Sequence, residues 1–278
     1  MENNSFTYSL KITCLERKQI ITIIANEFIE DVMYQGAPSF AYRTTSGWTI
    51  DRDSVITSPE LNDKTNLRKV LVALKAAAAT AEGDGTVTLS LDGHSGNTLR
   101  NAINLIYCKQ SLLKKSFNRQ SDFVPESLVR AINAVPIDDL QEFAEVVNNG
   151  IEQGLIVGDS DLDFDMAEQT VSFSFMNATL EVDEVQAFIT FCQKLSEQAK
   201  QQKFSSTKPR EVTNERYSMR VFLLKLGFIG RDYAKERKCL LNRLEGNAAF
   251  RTPEAQQAAE AKRKAKSSNA SSEGSEQA

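Results

Sequence analysis

The chain has 278 residues, 41% of them hydrophobic and 25% charged, with four cysteines, one histidine and a formal net charge of −4. No apolar run approaches the roughly 18 residues of a membrane span, and residues 1–5 lack the basic start and apolar stretch of a secretory leader. Cys14, Cys108, Cys192 and Cys239 form no CxxC pair, which excludes a local zinc or redox motif and fits free thiols in a cytoplasm, while His94 alone cannot supply a His-rich metal site or most His-dependent acid–base schemes.

Residues 6–12 alternate as a strand, and residues 16–28 follow as a helix with Ile20, Ile23, Ile24 and Phe28 on one face. Residues 34–55 read as short strands broken by Gly36, Pro38 and Gly47, a meander or hairpin. Leu67, Val70, Leu71, Leu74 and Ala78 mark a second helix, closed by an expected turn over residues 82–85. Residues 86–91 (TVTLSL) and 170–175 (TVSFSF) then match at an offset of 84, as do Leu105 with Ile189 and Cys108 with Cys192, so a strand–turn–helix unit recurs. Residues 7–12 with their helix make a fainter third copy.

Between the copies the pattern predicts helices over 125–133 and 138–153 and strands over 155–158 and 162–166. Val185, Phe188, Ile189, Cys192 and Leu195 give the next helix an apolar face. Residues 200–213 are polar and read as a linker. Two helices, 214–226 and 231–244, flank a turn bearing Gly227 and Gly230, and the Ala/Gln/Lys/Ser-rich end from Glu254 reads as a tail, a frayed helix at most, that is disordered past Ser267. The expected class is α+β: strand–helix units in two-layer sheet/helix packing, then a small helical module. Expected units are 1–122, an acidic 123–202, a basic helical 203–252 and a tail 253–278.

Charge is segregated along this order. Residues 131–193 hold thirteen carboxylates and no Lys or Arg, whereas residues 203–266 hold sixteen basic and seven acidic residues. Such asymmetry points to separate modules, electrostatic steering or an anionic partner for one half.

Four carboxylates, Asp159, Asp161, Asp163 and Asp165, alternate like the start of a calcium loop. Phe164 stands where that loop needs glycine and Thr170 where it needs its closing Glu, so an acidic strand face is the expectation, and no metal or cofactor is predicted. That face would repel phosphates, which argues against a sheet-borne RNA platform. Gly93, Ser95, Gly96 and Thr98 form a turn at a helix start, where a plain glycine turn with an N-cap is the expectation and backbone amides holding a small anion the alternative. The spacing Ser111…Lys114 fits an acyl-transfer pair, but its partner motifs are missing, and no catalytic residue is assigned.

The basic helical pair is the leading binding candidate. Arg216 and Arg220 are four apart on the first helix, and Arg231, Lys235 and Lys238 follow i, i+4, i+7 on the second. These stripes suit phosphate contacts in a helix-turn-helix or helical hairpin, with Lys203, Lys208, Arg210 and Lys262–Lys266 adding more. The same stripes could instead dock on the acidic half.

Residues 214–230 (NERYSMRVFLLKLGFIG), residues 244–250 (LEGNAAF), residues 34–42 (YQGAPSFAY) and residues 48–51 (WTID) resemble a family labelled "virulence-related" or "virulence-associated", carried on phages and mobile elements of Firmicutes and gut bacteria. The resemblance implies a bacterial cytoplasm and an accessory gene, with no catalytic residues attached. The expected function is non-catalytic nucleic-acid binding through the basic helices. One alternative is a protein-binding inhibitor, an anti-defence or host-takeover factor using an acidic, nucleic-acid-like surface. Another is a sponge for a small anionic ligand or nucleotide.

Overall fold

The computed structural model describes residues 5–209, 211–252, 254, 255, 257–259 and 261. In chain order the elements are β1 (Phe6–Thr13), α1 (Arg17–Phe28), β2 (Val32–Tyr34), β3 (Tyr42–Thr44), β4 (Thr49–Ile50), β5 (Val55–Thr57), α2 (Thr65–Ala76), β6 (Thr80–Ser90), α3 (Gly96–Tyr107) and α4 (Gln110–Ser116). They continue as α5 (Glu126–Ala134), α6 (Leu140–Glu152), β7 (Leu162–Asp165), β8 (Thr170–Asn177), α7 (Val182–Gln201), α8 (Glu215–Lys225) and α9 (Ala234–Leu241). The eight strands make one antiparallel sheet in the order β2-β3-β4-β5-β1-β6-β8-β7, which with its helices is the expected α+β class.

Alternation builds the two layers. Phe6, Tyr8, Leu10 and Ile12 of β1, and Val171, Phe173 and Phe175 of β8, are buried, while the residues between them are half-buried and polar. The helical layer therefore covers one sheet face, and the other carries Thr and Ser. The repeated units behave alike, since β1–α1, β6–α3 and β8–α7 are strand–helix pairs on three adjacent strands. Thr88 pairs with Ser172, residues that are themselves equivalent at the 84-residue offset. The two better copies are thus related by a local two-fold through that pair, and α3 packs against α7 beneath it.

Phe175 centres the core. Its ring lies 4.6 Å from Phe123, 5.3 Å from Phe117 and 5.2 Å from Phe188, so it ties β8 to α7 and to the segment after α4. One hydrophobic cluster extends from Phe6 to Leu244 and includes Met219, Phe222 and Leu240 of the last two helices. The expected unit boundaries at 122 and 202 therefore cross a continuous core. No helix among the described residues is long and apolar enough to cross a membrane.

Three local expectations change. The Gly83–Gly85 stretch is not a turn but part of β6: Asp84 and Gly85 pair with Asn177 and Met176 of β8, while on the β1 side residues 83–85 bulge between the Glu82–Lys11 and Thr86–Ser9 pairs. A Cβ on Gly85 would lie 2.5 Å from the Tyr8 hydroxyl, so the glycine serves close strand approach rather than chain reversal. Residues 155–158 form no strand. Gly154 and Gly158 take positive φ, and the Ser127 hydroxyl holds both the N–H and the C=O of Val157, drawing the segment onto α5. The polar stretch after α7 is no free linker, because three asparagines one turn apart on α3 clamp it. Asn97, Asn101 and Asn104 donate to the carbonyls of Lys203, Gln202 and Ser205 at 3.1, 2.7 and 3.2 Å. The expected tail lies largely outside the described residues, as do Arg210 and the basic run 262–266.

Phe175→Ala is expected to cost about 4 kcal/mol, the upper range for a fully enclosed aromatic side chain, read as a lower urea midpoint with an unchanged slope.

Candidate functional site

The five basic residues of the helical pair divide into two groups. Arg216 and Arg220 on α8 donate to the carbonyls of Asn242 and Ala248, at 3.4 and 3.3 Å, and so help hold the chain after α9 in place. Arg237 similarly ties the α8–α9 turn by donating to the carbonyls of Phe228 and Gly230, at 2.8 and 2.9 Å. Arg231, Lys235 and Lys238 are exposed and have no carboxylate partner among the described residues. The stripe expected to meet phosphates is reduced to these three, because α9 also spends one side on α7 and α4.

The turn at Gly93, Ser95, Gly96 and Thr98 closes on itself. The Ser95 hydroxyl accepts from the Thr98 N–H, and the Thr98 hydroxyl accepts from the Ser95 N–H at 2.8 Å, a reciprocal capping box. Gly96 is buried where a Cβ would lie 2.2 Å from the Asp139 carbonyl. Asp138 and Asp139 line the hollow in front of this helix start, which opposes an anion there. His94 bonds the hydroxyls of Thr98 and Ser196 at 2.9 and 2.8 Å. Burial, with Lys200 adding repulsion, lowers its pKa to about 3, so it stays a neutral structural imidazole.

The four alternating aspartates also separate. Asp161 pairs with Arg119 at 3.1 Å, and Arg119 pairs as well with Asp84, so this carboxylate locks β7 to β6 and is no part of an open surface. Burial raises the Asp161 pKa and Arg119 offsets part of that rise. Asp165 accepts from the N–H groups of Ala167 and Glu168 and shapes the β7–β8 turn. Asp163 is exposed on β7, and Asp159 lies at the mouth of a groove. No three His, Cys, Asp or Glu side chains among the described residues converge as a metal site.

That groove, about 480 Å³, runs between α6 and β7. Phe143, Val147, Ile151, Ile156 and Phe164 line it, with Asp159 and Asp163 on its rim. The adjoining Leu155 and Val157 are 64% and 68% exposed, unusual for large aliphatic residues. Of the thirteen carboxylates in residues 131–193, only Asp161, Glu181 and Glu184 pair with a described cation, and nine of the others fall between residues 138 and 168. This surface thus combines an apolar floor with acidic groups that have no cationic partner among the described residues. Sequence reasoning located the acids but missed the groove; the unsatisfied aliphatics Ile151, Leu155 and Val157 beside Gly154 and Gly158 were the available signal.

No protein-family model matches the chain, and a search of curated proteins finds no match.

A larger hollow of about 790 Å³ beside α4 contains Ser111 and Lys114. Its cations are engaged: Lys114 with Asp122 at 2.8 Å, Lys115 with Glu215, and Arg243 with Glu184 at 2.8 Å. Ser111 has no activating base among these contacts.

Two outcomes are expected. Gly96→Ala should cost about 3 kcal/mol of stability by forcing the α3 start away from Asp139, measured by chemical denaturation. His94 binds its proton more readily unfolded than folded, so its contribution is complete above about pH 6.5 and is lost as pH falls toward 3. The stability of the wild type relative to His94→Gln should therefore fall by up to about 1.4 kcal/mol per pH unit across that window.

Proposed function

We propose that this chain is a non-catalytic protein-binding module whose α6–β7 surface engages a basic partner. The observation that carries the reading is the groove with aliphatic and aromatic side chains on its floor and Asp159 and Asp163, which have no cationic partner among the described residues, at its border. Apolar burial would supply affinity, and the acidic field would supply steering and selection for positive charge. The family resemblance extends the proposal to a cytoplasmic accessory protein of a phage or mobile element. In that setting an acidic surface would occupy the basic groove of a host defence enzyme in place of nucleic acid.

A second reading, nucleic-acid binding through the C-terminal helices, is supported by the exposed Arg231, Lys235 and Lys238, which have no carboxylate partner among the described residues. A small-anion sponge finds less support, given the acids before the Gly93–Thr98 turn.

Titrating the full chain with a poly-lysine peptide, and separately with random-sequence DNA and RNA, across a salt series tests both. The acidic-surface reading expects salt-sensitive peptide binding that weakens about tenfold or more when Glu145, Glu152, Asp159 and Asp163 are replaced by their amides. Nucleic-acid binding that disappears on Arg231→Gln, Lys235→Gln and Lys238→Gln, with no peptide binding, would decide for the second.

A further inference from the structure

We propose that β7 is an acceptor edge to which an extended partner segment of alternating basic and apolar residues adds as a further strand. The proposal rests on the protein-binding reading above and specifies its geometry.

Strand β7 ends the sheet order, so one side of its backbone has no strand neighbour among the described residues. The Ser174 N–H donates to the Asp161 carbonyl at 2.9 Å, which sets the alternation of the ladder. With Asp163 opposite Ser172 and Asp165 opposite Thr170, the Asp161 carbonyl and the peptide groups of Asp163 and Asp165 turn toward β8, while the Asp161 N–H donates to the Phe123 carbonyl at 2.8 Å. The peptide groups of Leu162 and Phe164 turn to the free edge. Leu162 places its N–H on the Ser160 hydroxyl at 3.2 Å, whereas no described residue bonds the outward N–H and C=O of Phe164. An exposed edge of this kind is a template for pairing.

The two sides of an added strand would meet different chemistry. Side chains alternate across a strand, so one set would lie beside Asp163 and Asp165 on the polar sheet face. The other set would enter the groove formed by Phe143, Val147, Ile151 and Phe164. Basic residues suit the first row and aliphatic residues the second. A second copy of this chain is a poor occupant, because edge-to-edge pairing would bring two sets of these aspartates together, and like charges across strands destabilise. Charge complementarity thus selects a basic partner and disfavours self-association.

The test uses the full chain and three peptides of one composition: Lys and Val in alternation, the same residues as a Lys block and a Val block, and the alternating peptide N-methylated at every second residue. The alternating peptide is expected to bind at least about tenfold more tightly than the other two and to slow hydrogen exchange at the Phe164 amide. Ile151→Glu, at a position already 57% exposed, should weaken its binding about tenfold while leaving the unfolding midpoint near that of the wild type. Equal, salt-sensitive binding of all three peptides, without protection at Phe164, would overturn strand addition and leave the acidic-surface reading in place. Absence of binding by any peptide at low salt would overturn both. Tighter peptide binding after Lys262, Arg263, Lys264 and Lys266 are changed to Gln would show that the chain's own tail competes for the edge, and would overturn the assignment to a separate partner.

Discussion

The antiparallel pairing of β6 with β8 is the constraint on which the other arrangements depend. It joins two strand–helix units remote in sequence, with Thr88 facing Ser172 across the local two-fold. Hydroxyl pairs reinforce it on the polar face, Thr86 with Ser174 at 2.9 Å and Thr88 with Ser172 at 2.8 Å. On the opposite face it places Phe173 and Phe175 beneath α7 and brings α3 beside that helix. Because β6 and β1 occupy the inner positions, the short β7 is left outside as an edge. Its exposed chemistry is a consequence of where the central pairing puts it.

The second organising feature is how the cations are spent. Arg119, with its side chain only 15% exposed, bridges Asp84 and Asp161 across two strands. Loss of such a shielded cation would leave two carboxylates facing each other, so this contact matters more than the exposed pairs, which contribute little individually. Arg216, Arg220, Arg237 and Arg243 all donate to backbone carbonyls and brace the last helices against the body. Little positive charge remains to neutralise the α6–β7 region. The surface field is therefore more polarised than a net charge of −4 suggests.

Much of the element pattern was legible because it depends on local periodicity. The alternation of residues 6–12 becomes β1, the apolar face of residues 185–195 becomes part of α7, and the matched TVTLSL and TVSFSF segments become adjacent strands. Expectations fail where distant partners overrule local preference. Gly83 and Gly85 carry turn chemistry, yet pairing with β8 holds them in β6 as a bulge opposite β1. Residues 155–158 have strand-like side chains but no neighbouring strand, and Ser127 takes the backbone groups of Val157. The polar segment after α7 looks like a linker until the asparagines of α3 are seen to hold it, although their helical spacing was visible beforehand.

By itself the sequence determines the α+β class, the recurrence of the strand–helix unit and the separation of acidic from basic segments. These properties reside in side-chain alternation, helical spacing and composition, all expressed over short stretches of chain. Tertiary structure decides which charges remain available and which strand has a free edge. Asp161 meets Arg119 from 42 residues away, and Asn104 reaches Ser205 across 101, contacts that no local pattern specifies. A carboxylate is either neutralised or displayed according to what folding brings within a few ångströms of it, so the α6–β7 surface exists only once the sheet is assembled.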